Sequence, residues 1–343
     1  MNEYGSREYG HWVGADVAKD TFDAAFVCAG LRYGDKPLGL VPVNTFERTP
    51  KGVEAFVSWM DTQECRGELT RVVMEATGRY SQELAVWMLE QRCSLSPAIA
   101  NPYQTANFIK SLGVRGKTDR LDARALGFYG AERRPLAYEV PTPDMAKLRE
   151  LSRYRGDLVQ QRTRLKNQMQ EACQCTFIKR EQKKRLERFN KDIRRTEDAM
   201  KKLIDTRVEL KHDIELLSTI YGIGFVCAVT VIAELGDLRR FALAKQLTAF
   251  VGMSPRHYES GSSIHGRTRL CKQGNSRVRS ILYLAAMTAV RGKNEFRNTY
   301  QRLIAQGKTP MVALGAIMRK MIVLMRAILI NGKPYNPMGI TRC

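Results

Sequence analysis

The spacing of apolar residues predicts alternating strands and helices over the first 140 positions. Five segments have the alternating or continuous apolar pattern, rich in β-branched and aromatic residues, that is typical of strands. These are residues 11–17, 22–28, about 38–46, 70–75 and about 95–100. Helices are indicated where a polar cap or a proline at the first helical position opens them. They begin after Thr49, near residue 81, at Asn101 or Pro102, and after Thr118. The first eight predicted elements therefore have the order βββαβαβα, and the helix after Thr118 follows them.

Beyond residue 140 the pattern becomes helical. Residues 144–216 contain no proline and one glycine, Gly156, and their spaced apolar residues lie among many charged ones. This pattern predicts two long helices that form an antiparallel or a dimerising coiled coil. The next segment, residues 216–236, indicates a helix, a turn at Gly222 and Gly224, and a second helix. Such a turn is similar to a helix-hairpin-helix, which presents backbone N–H groups to a phosphate, and a plain packing hairpin is the alternative.

Positive charge increases towards the end of the chain. The 343 residues carry a net charge of +21. Residues 1–140 are nearly neutral at −1, residues 141–215 carry +7, and residues 216–343 carry +15 from 19 Lys and Arg against four Asp and Glu. We predict these segments as three domains: an α/β catalytic domain, dimerising coiled-coil helices and a mostly helical C-terminal domain. Such an imbalance predicts that the C-terminal domain binds a polyanion.

Other compositional features exclude several protein classes. The eight cysteines form no CxxC pair and predict buried thiols in a reducing cytoplasm. The most apolar stretch, residues 311–330, is interrupted by Arg319, Lys320 and Arg326, so no membrane span is expected. A GxxxxGK[ST] loop is absent from the sequence, and we therefore expect no nucleotide cofactor.

Four carboxylates in three short motifs predict a metal site. Asp16 lies in the first apolar strand (GADVAKDTFD), Glu75 ends the fourth (RVVMEATGRY), and Asp119 and Asp122 share one helix face (GKTDRLDARAL). Mg²⁺ prefers such oxygen ligands, and two ions about 4 Å apart can hold the attacking and leaving oxygens of a phosphodiester. Acids at these places in a βββαβαβα chain are typical of the RNase H-like fold, with a generic α/β domain as the alternative.

A second motif, FVGMSPRHYESGSSIHGRTRLCKQGN, combines serines with many cations. Ser260, Ser262 and Ser263 surround a glycine in a predicted loop, where a hydroxyl can reach a scissile phosphate. Arginines bind phosphate oxygens in a bidentate manner and stabilise charge in the transition state. The candidate cations in and after the motif are Arg256, Arg267, Arg269, Lys272, Arg277 and Arg279. From these residues alone, a nucleophilic serine and a loop that only binds phosphate are equally supported.

The two motif sets together resemble one family over about residues 11–330. GADVAK, MEATGRY and KTDRLDAR, followed by GMSPRHYESGSSIHG and KQGN, are similar to the motifs of DEDD-type transposases of bacterial insertion sequences, the IS110 family. This resemblance implies a RuvC-like N-terminal domain, a coiled coil and a C-terminal transposase domain. It implies a metal tetrad of Asp16, Glu75, Asp119 and Asp122 that binds Mg²⁺ or Mn²⁺. The family's nucleophilic serine maps to Ser260, with neighbouring Ser262 and Ser263 as alternatives.

The same resemblance implies the partners. Family members excise and insert their element, and at least some are guided by a structured bridge RNA whose loops pair with donor and target DNA. Their active site is composite, with the tetrad of one subunit facing the serine of another, so we expect a homodimer or a tetramer assembled from dimers. The alternatives are a RuvC-like nuclease or junction resolvase that uses water, and a non-catalytic architectural protein that binds DNA or RNA.

Overall fold

The chain forms two compact units, residues 1–140 and residues 141–343. The computed structural model describes residues 11–28, 33–34, 38–63, 70–92, 94–113, 116, 118–171, 175–256, 259–260, 264–265 and 269–337. For residues 256, 259–260, 264–265 and 269 the backbone alone is described. Within these ranges, no helix combines the length and the apolar character needed to cross a membrane.

A mixed five-stranded sheet forms the centre of the first unit. Its strands are β1 (His11–Val17), β2 (Thr21–Cys28), β3 (Val43–Glu47), β4 (Thr70–Glu75) and β5 (Leu95–Ala100). They lie in the order β3-β2-β1-β4-β5, with β1 to β3 antiparallel and β4 and β5 parallel to β1. This RNase H-like order confirms the sequence prediction. The third strand begins later than predicted, because residues 38–40 form a turn of 3-10 helix.

Helices cover both faces of this sheet. Within the described residues of the first unit, the helices are α1 (Pro50–Thr62), α2 (Arg79–Gln91), α3 (Pro102–Ser111) and α4 (Asp119–Arg133). The predicted starts of α1 and α4 are confirmed: the Thr49 side chain accepts the N–H of Gly52, and the Thr118 side chain accepts the N–H of Leu121. Apolar residues of α1 and α2 fill one face of the sheet, and those of α3 and α4 fill the other.

Helix α4 lies very close to β1 because small residues face each other. A Cβ atom on Gly14 of β1 would lie 1.9 Å from the carbonyl oxygen of Ala123 and 2.2 Å from the nitrogen of Gly127. A Cβ atom on Gly130 would lie 2.8 Å from the ring of Trp12. Since no side chain fits in these gaps, the helix rests directly on the strand at the glycines.

The second unit is mainly helical. Its helices are α5 (Pro143–Gln168), α6 (Thr176–Asp205), α7 (Val208–Ser218), α8 (Phe225–Leu235), α9 (Ala244–Val251), α10 (Ser276–Ala289), α11 (Glu295–Ala305) and α12 (Pro310–Asn331). Between α9 and α10 lie the short strands β6 (Pro255–Arg256), β7 (Glu259–Ser260), β8 (Ile264–His265) and β9 (Arg269–Leu270). Leu148 of α5 and Met200 of α6 are buried in the same core as α8, α10 and α12, so the long helices and the C-terminal helices pack together.

The two long helices predicted over residues 144–216 are confirmed as α5 and α6. Arg155 of α5 donates to Glu197 of α6 at 2.8 Å, and Arg162, two turns later in α5, donates to Asn190, two turns earlier in α6, at 3.2 Å. The pair is therefore antiparallel within one chain. These contacts establish a helix hairpin, and the coiled coil and its role in dimerisation stay predictions.

Replacing Gly14 with alanine should destabilise the first unit, because the new methyl group would overlap the backbone of Ala123 and Gly127. We expect the free energy of unfolding to fall by about 3 kcal/mol, which is typical of severe overpacking. Urea denaturation of the full chain measures this change. Gly39→Ala is the control, since a Cβ atom there meets nothing within 4 Å, and it should change stability by less than about 0.5 kcal/mol. Equal unfolding midpoints for the two variants would contradict the need for a close approach.

Candidate active site

Asp16 lies on the sheet face that α4 covers. Side chains alternate along a strand, and Trp12 and Gly14, which precede Asp16 in the same row, both contact this helix. From Trp12 to Gly14 the contact moves back along the helix, from Gly130 to Gly127. The half-buried Asp16 carboxylate therefore comes next to the start of α4.

The strands on either side of β1 add two more carboxylates. Asp23 of β2 is directly opposite Asp16 in the antiparallel register. Glu75 ends β4, whose parallel register with β1 brings it beside Asp16. Each of these two carboxylates accepts a hydrogen bond from a threonine hydroxyl, Asp23 from Thr45 and Glu75 from Thr105.

Asp119 and Asp122 come from the first turn of α4. Thr118 caps the helix there, and residues three apart lie on one side of a helix. The unpaired N–H groups of a helix N-terminus carry partial positive charge, which favours carboxylates at these positions. Arg124, in the next turn, donates to two backbone carbonyls of residues 39–41 at 3.1 and 3.0 Å, which holds the helix in this orientation.

The assembled carboxylates change the protonation of Asp16. Burial is the largest cause, and the charges of Asp119, Asp122, Glu75 and Asp23 follow; together they raise the pKa of Asp16 to about 6. Like charges around a half-buried carboxyl group disfavour its ionised form. The structure thus brings the four residues of the predicted tetrad together and adds Asp23 as a fifth carboxylate.

The serine motif lies in the second unit, between α9 and α10. The backbone of Ser260 ends the two-residue strand β7 and pairs with Ile264 of β8, so this position is not the irregular loop that the sequence predicts. The backbones of Arg256 and Arg269 pair between β6 and β9. The candidate residues Ser262, Ser263 and Arg267 lie outside the described residues, as do the side chains of Ser260, Arg256 and Arg269.

The segment between β9 and α10 packs against the end of α9. Lys272 is exposed, has a left-handed backbone with φ of 56°, and donates its N–H to the Gly252 carbonyl at 3.0 Å. A Cβ atom on Gly274 would lie 2.3 Å from a backbone carbonyl oxygen of α9. Asn275 caps α10 and donates to the buried carboxylate of Glu234 at 2.9 Å. These contacts fix the KQGN motif at the start of α10.

Arg277 and Arg279, in the first turn of α10, have different surroundings. The Arg277 guanidinium is exposed and lies 3.3 Å from the carboxylate of Asp157. Arg279 is half-buried and donates to the carbonyl of Val251 at 2.9 Å, and burial lowers its pKa. Arg279 therefore joins α10 to α9, and phosphate binding by either arginine stays a prediction.

The predicted helix, glycine turn and helix are confirmed at α7 and α8. Gly222 has a positive φ of 85°, and a Cβ atom there would lie 2.5 Å from the carbonyl oxygen of Ala285 in α10. Gly224 is the N-cap residue before α8, and its Cβ position is open. Close packing on α10 accounts for Gly222 by itself, so phosphate binding at this turn stays a prediction.

Comparison with known proteins identifies the family. Residues 13–178 match the family model of DEDD transposases of the IS110 type, and residues 214–301 match the transposase IS116/IS110/IS902 family. The pilin gene-inverting protein of Moraxella bovis is 30% identical over 330 residues, which are 95% of this chain and 97% of that protein. The chain belongs to the IS110 family of DEDD transposases.

Other relatives of this transposase carry related names. The pilin gene-inverting protein of Moraxella lacunata is 29% identical over 95% of this chain and 97% of its own length. The transposase for insertion sequence element IS1111A of Coxiella burnetii is 23% identical over 77% of this chain and 79% of its own. Both matches extend across the two units, so the similarity is not confined to one motif.

A DEDD transposase family implies a DNA substrate and a divalent metal ion. The carboxylates fit such an ion, because they are hard oxygen ligands and because a cation would neutralise the charges that raise the pKa of Asp16. Among the described side chains, no group of three or more His, Cys, Asp or Glu is arranged so that it could hold a metal ion. Metal binding by the tetrad of this transposase is therefore a prediction.

The sequence analysis missed two residues beside the transposase tetrad, Asp23 and Thr105. Asp23 has a detectable signal: in a tight hairpin between two apolar strands, Asp16 and Asp23 are equally far from the turn and must pair. Thr105 has no such signal in the sequence, since its contact with Glu75 depends on how α3 packs against the sheet.

The raised pKa of Asp16 predicts that the metal-free transposase loses stability as pH rises from about 4 to about 6. In this window the folded protein binds more protons than the unfolded chain, where the aspartate pKa is 3.8, so raising the pH favours unfolding. Urea denaturation of the full chain at several pH values within the window measures this effect. Asp16→Asn is the control, because its side chain does not titrate, and its stability should fall less. The same pH dependence in both proteins would contradict the raised pKa.

Proposed function

We propose that this transposase cleaves and rejoins DNA strands with Asp16, Glu75, Asp119 and Asp122 as ligands of Mg²⁺, for which Mn²⁺ can substitute. The observation that carries the proposal is the clustering of these carboxylates, from three separate elements, around an aspartate whose pKa is raised to about 6. Such a cluster is unfavourable without a cation, and metal-dependent phosphodiester chemistry requires one like it.

The four residues that would hold the ion come from two strands and one helix. Asp16 and Glu75 are fixed by neighbouring strands, whereas Asp119 and Asp122 come from the first turn of α4. When bound, Mg²⁺ supplies positive charge that stabilises the phosphate oxygens during strand cleavage. Asp16 has to lose its proton to serve as a ligand, so binding of the ion releases a proton near pH 6 and below.

Ser260 is the proposed nucleophile. Its hydroxyl oxygen attacks the scissile phosphorus and loses its proton, while the bond from phosphorus to a sugar oxygen breaks and that oxygen takes up a proton. A free hydroxyl of a partner strand then attacks the phosphoserine and releases the serine. Each step exchanges one phosphoester for another, so no ATP is consumed. Support for this role comes from the resemblance of the YESGSS segment to the family motif.

The basic C-terminal segment is the proposed contact with nucleic acid. Residues 216–343 carry a net charge of +15, which attracts phosphates whatever their base sequence. The proposed contacts are Arg256, Arg267, Arg269, Lys272, Arg277 and Arg279, with backbone N–H groups at Gly222 and Gly224. We further propose that base pairing with a bridge RNA supplies sequence specificity, and the support for this is the family resemblance.

We also propose a homo-oligomer, a dimer or a tetramer assembled from dimers, that associates through the long helices of residues 141–215. The 30-residue helix α6 spans about 45 Å, and Phe177 and Ile178 are exposed near its start, which gives it an apolar end. Residues 1–140 and 216–343 would then be catalytic and nucleic-acid-binding domains. The names of the pilin gene-inverting relatives refer to gene inversion, which is a strand exchange of the proposed kind.

A nuclease is the second candidate function. In that case the tetrad would assist attack by water, and Ser260 would bind phosphate without forming a covalent bond. The clustered carboxylates fit both reactions, so the fate of Ser260 distinguishes them.

Peptide mass spectrometry tests the two functions directly. The transposase is recovered under denaturing conditions from cells that carry its native flanking DNA, and it is digested with trypsin. The peptide from His257 to Arg267 contains all three candidate serines. We expect a nucleotide remnant on Ser260 in the wild type and none in Asp119→Asn, because the metal ligand is lost. Cut DNA without an adduct on this peptide would assign the nuclease instead.

Asp119→Asn also separates a catalytic from a structural role. Because Asp119 is exposed at the first position of α4, its replacement should leave the fold intact. We expect strand cleavage to fall by about 100-fold or more, as when a group that stabilises transition-state charge is removed. DNA affinity should change little, since few phosphate contacts are altered. Loss of affinity together with cleavage would make Asp119 structural.

Lys272→Ala should reduce the salt dependence of DNA binding. Each phosphate contact contributes about 0.9 to the slope of log affinity against log salt concentration for duplex DNA. We therefore expect the slope to fall by about 0.9 in Lys272→Ala, whereas Lys272→Arg, which keeps the charge, should match the wild type. Filter binding across a salt series measures the slope. An unchanged slope in the alanine variant would remove Lys272 from the phosphate contacts.

A further inference from the structure

A buried hydroxyl group contacts one of the proposed metal ligands. Thr105 of α3 is fully buried, and its hydroxyl donates a hydrogen bond to Oε1 of Glu75. Thr105 and Phe108 are the buried residues of α3, whose other side chains are more exposed. A buried hydroxyl loses its contacts with water, whereas valine would fill the same space without that loss. A threonine at this position therefore has a reason other than packing.

The hydroxyl proton of Thr105 has three acceptors within reach. They are the carboxylate of Glu75 and, about one turn earlier in the chain, the carbonyls of Pro102 at 3.0 Å and Asn101 at 3.4 Å. A hydroxyl donates one hydrogen bond at a time, and an ionised carboxylate accepts more strongly than a neutral carbonyl. The proton therefore goes to Glu75. Because the hydroxyl donates to Glu75 and not to the backbone of its own helix, it is not needed to keep α3 folded.

We propose that Thr105 is a positioning residue that holds the Glu75 carboxylate ready for the divalent ion, an inference that rests on the proposed function. Its hydrogen bond to Oε1 restrains the orientation of the Glu75 carboxylate. A glutamate side chain has three rotatable bonds, and holding it in one orientation reduces the freedom that it loses when the ion binds. Groups that orient a metal ligand in this way typically change metal affinity by about 10–100-fold.

Titration of the full chain with Mn²⁺ alone, without DNA, tests this role by calorimetry. Thr105→Val removes the hydroxyl and keeps the shape of the side chain, and we expect Mn²⁺ affinity to fall by about 10-fold or more. Thr105→Ser keeps the hydroxyl and should stay within about threefold of the wild type. Thr62→Val is the control, because Thr62 donates to a carbonyl of its own helix at 2.6 Å, and its affinity should not change. If the valine variant fails to fold, Thr105→Ala serves in its place.

The outcomes distinguish this inference from the proposed function. Weaker binding in Thr105→Val with normal binding in Thr105→Ser supports the positioning role, since a purely structural effect would not follow the hydroxyl group. Equal affinities in all variants, or equal losses in both Thr105 variants, would overturn the role of Thr105 and leave the metal site standing. A wild-type protein that binds no Mn²⁺ would overturn the metal site itself and the role of Thr105 with it.

Discussion

The close packing of α4 against β1 determines where the candidate site forms. Glycines at positions 14, 127 and 130 let the two elements approach to distances that a Cβ atom would not permit. Because the helix runs back along the strand, its first turn arrives beside Asp16 and brings Asp119 and Asp122 with it. Acids that are about 100 residues apart in the chain therefore meet through contacts between small residues. The favourable packing offsets the repulsion between the acids.

Each carboxylate except Asp16 has a local group that supports its charge. The N-terminus of α4 favours Asp119 and Asp122, and threonine hydroxyls donate to Glu75 and Asp23. Asp16 is half-buried in the middle of these charges, and burial, followed by the charges of Asp119, Asp122, Glu75 and Asp23, raises its pKa to about 6. In the proposed metal-bound state Asp16 is ionised, so loss of its proton and binding of the cation are coupled.

Sequence patterns predicted the first unit well because its signals are local. Period-two strands, the caps at Thr49 and Thr118, and the apolar runs fix the element order without knowledge of tertiary contacts. The four acids of the tetrad follow from their places on those elements. Asp23 and Thr105 do not, since one depends on hairpin register and the other on the packing of α3. At Ser260 a two-residue strand stands where the sequence predicts a loop, because this segment carries no strand pattern.

Some of the positive charges in the second unit are held inside the fold by hydrogen bonds. Arg279 donates to the carbonyl of Val251, and Arg326 donates to two carbonyls of residues 241–242 at 2.8 Å, so both join helices inside the fold. A carbonyl orients a guanidinium but does not neutralise it. These arginines therefore still contribute to the positive field that attracts phosphates from a distance, whether or not a phosphate contacts them directly. The arginines that join helices of the second unit thus also favour an anionic partner.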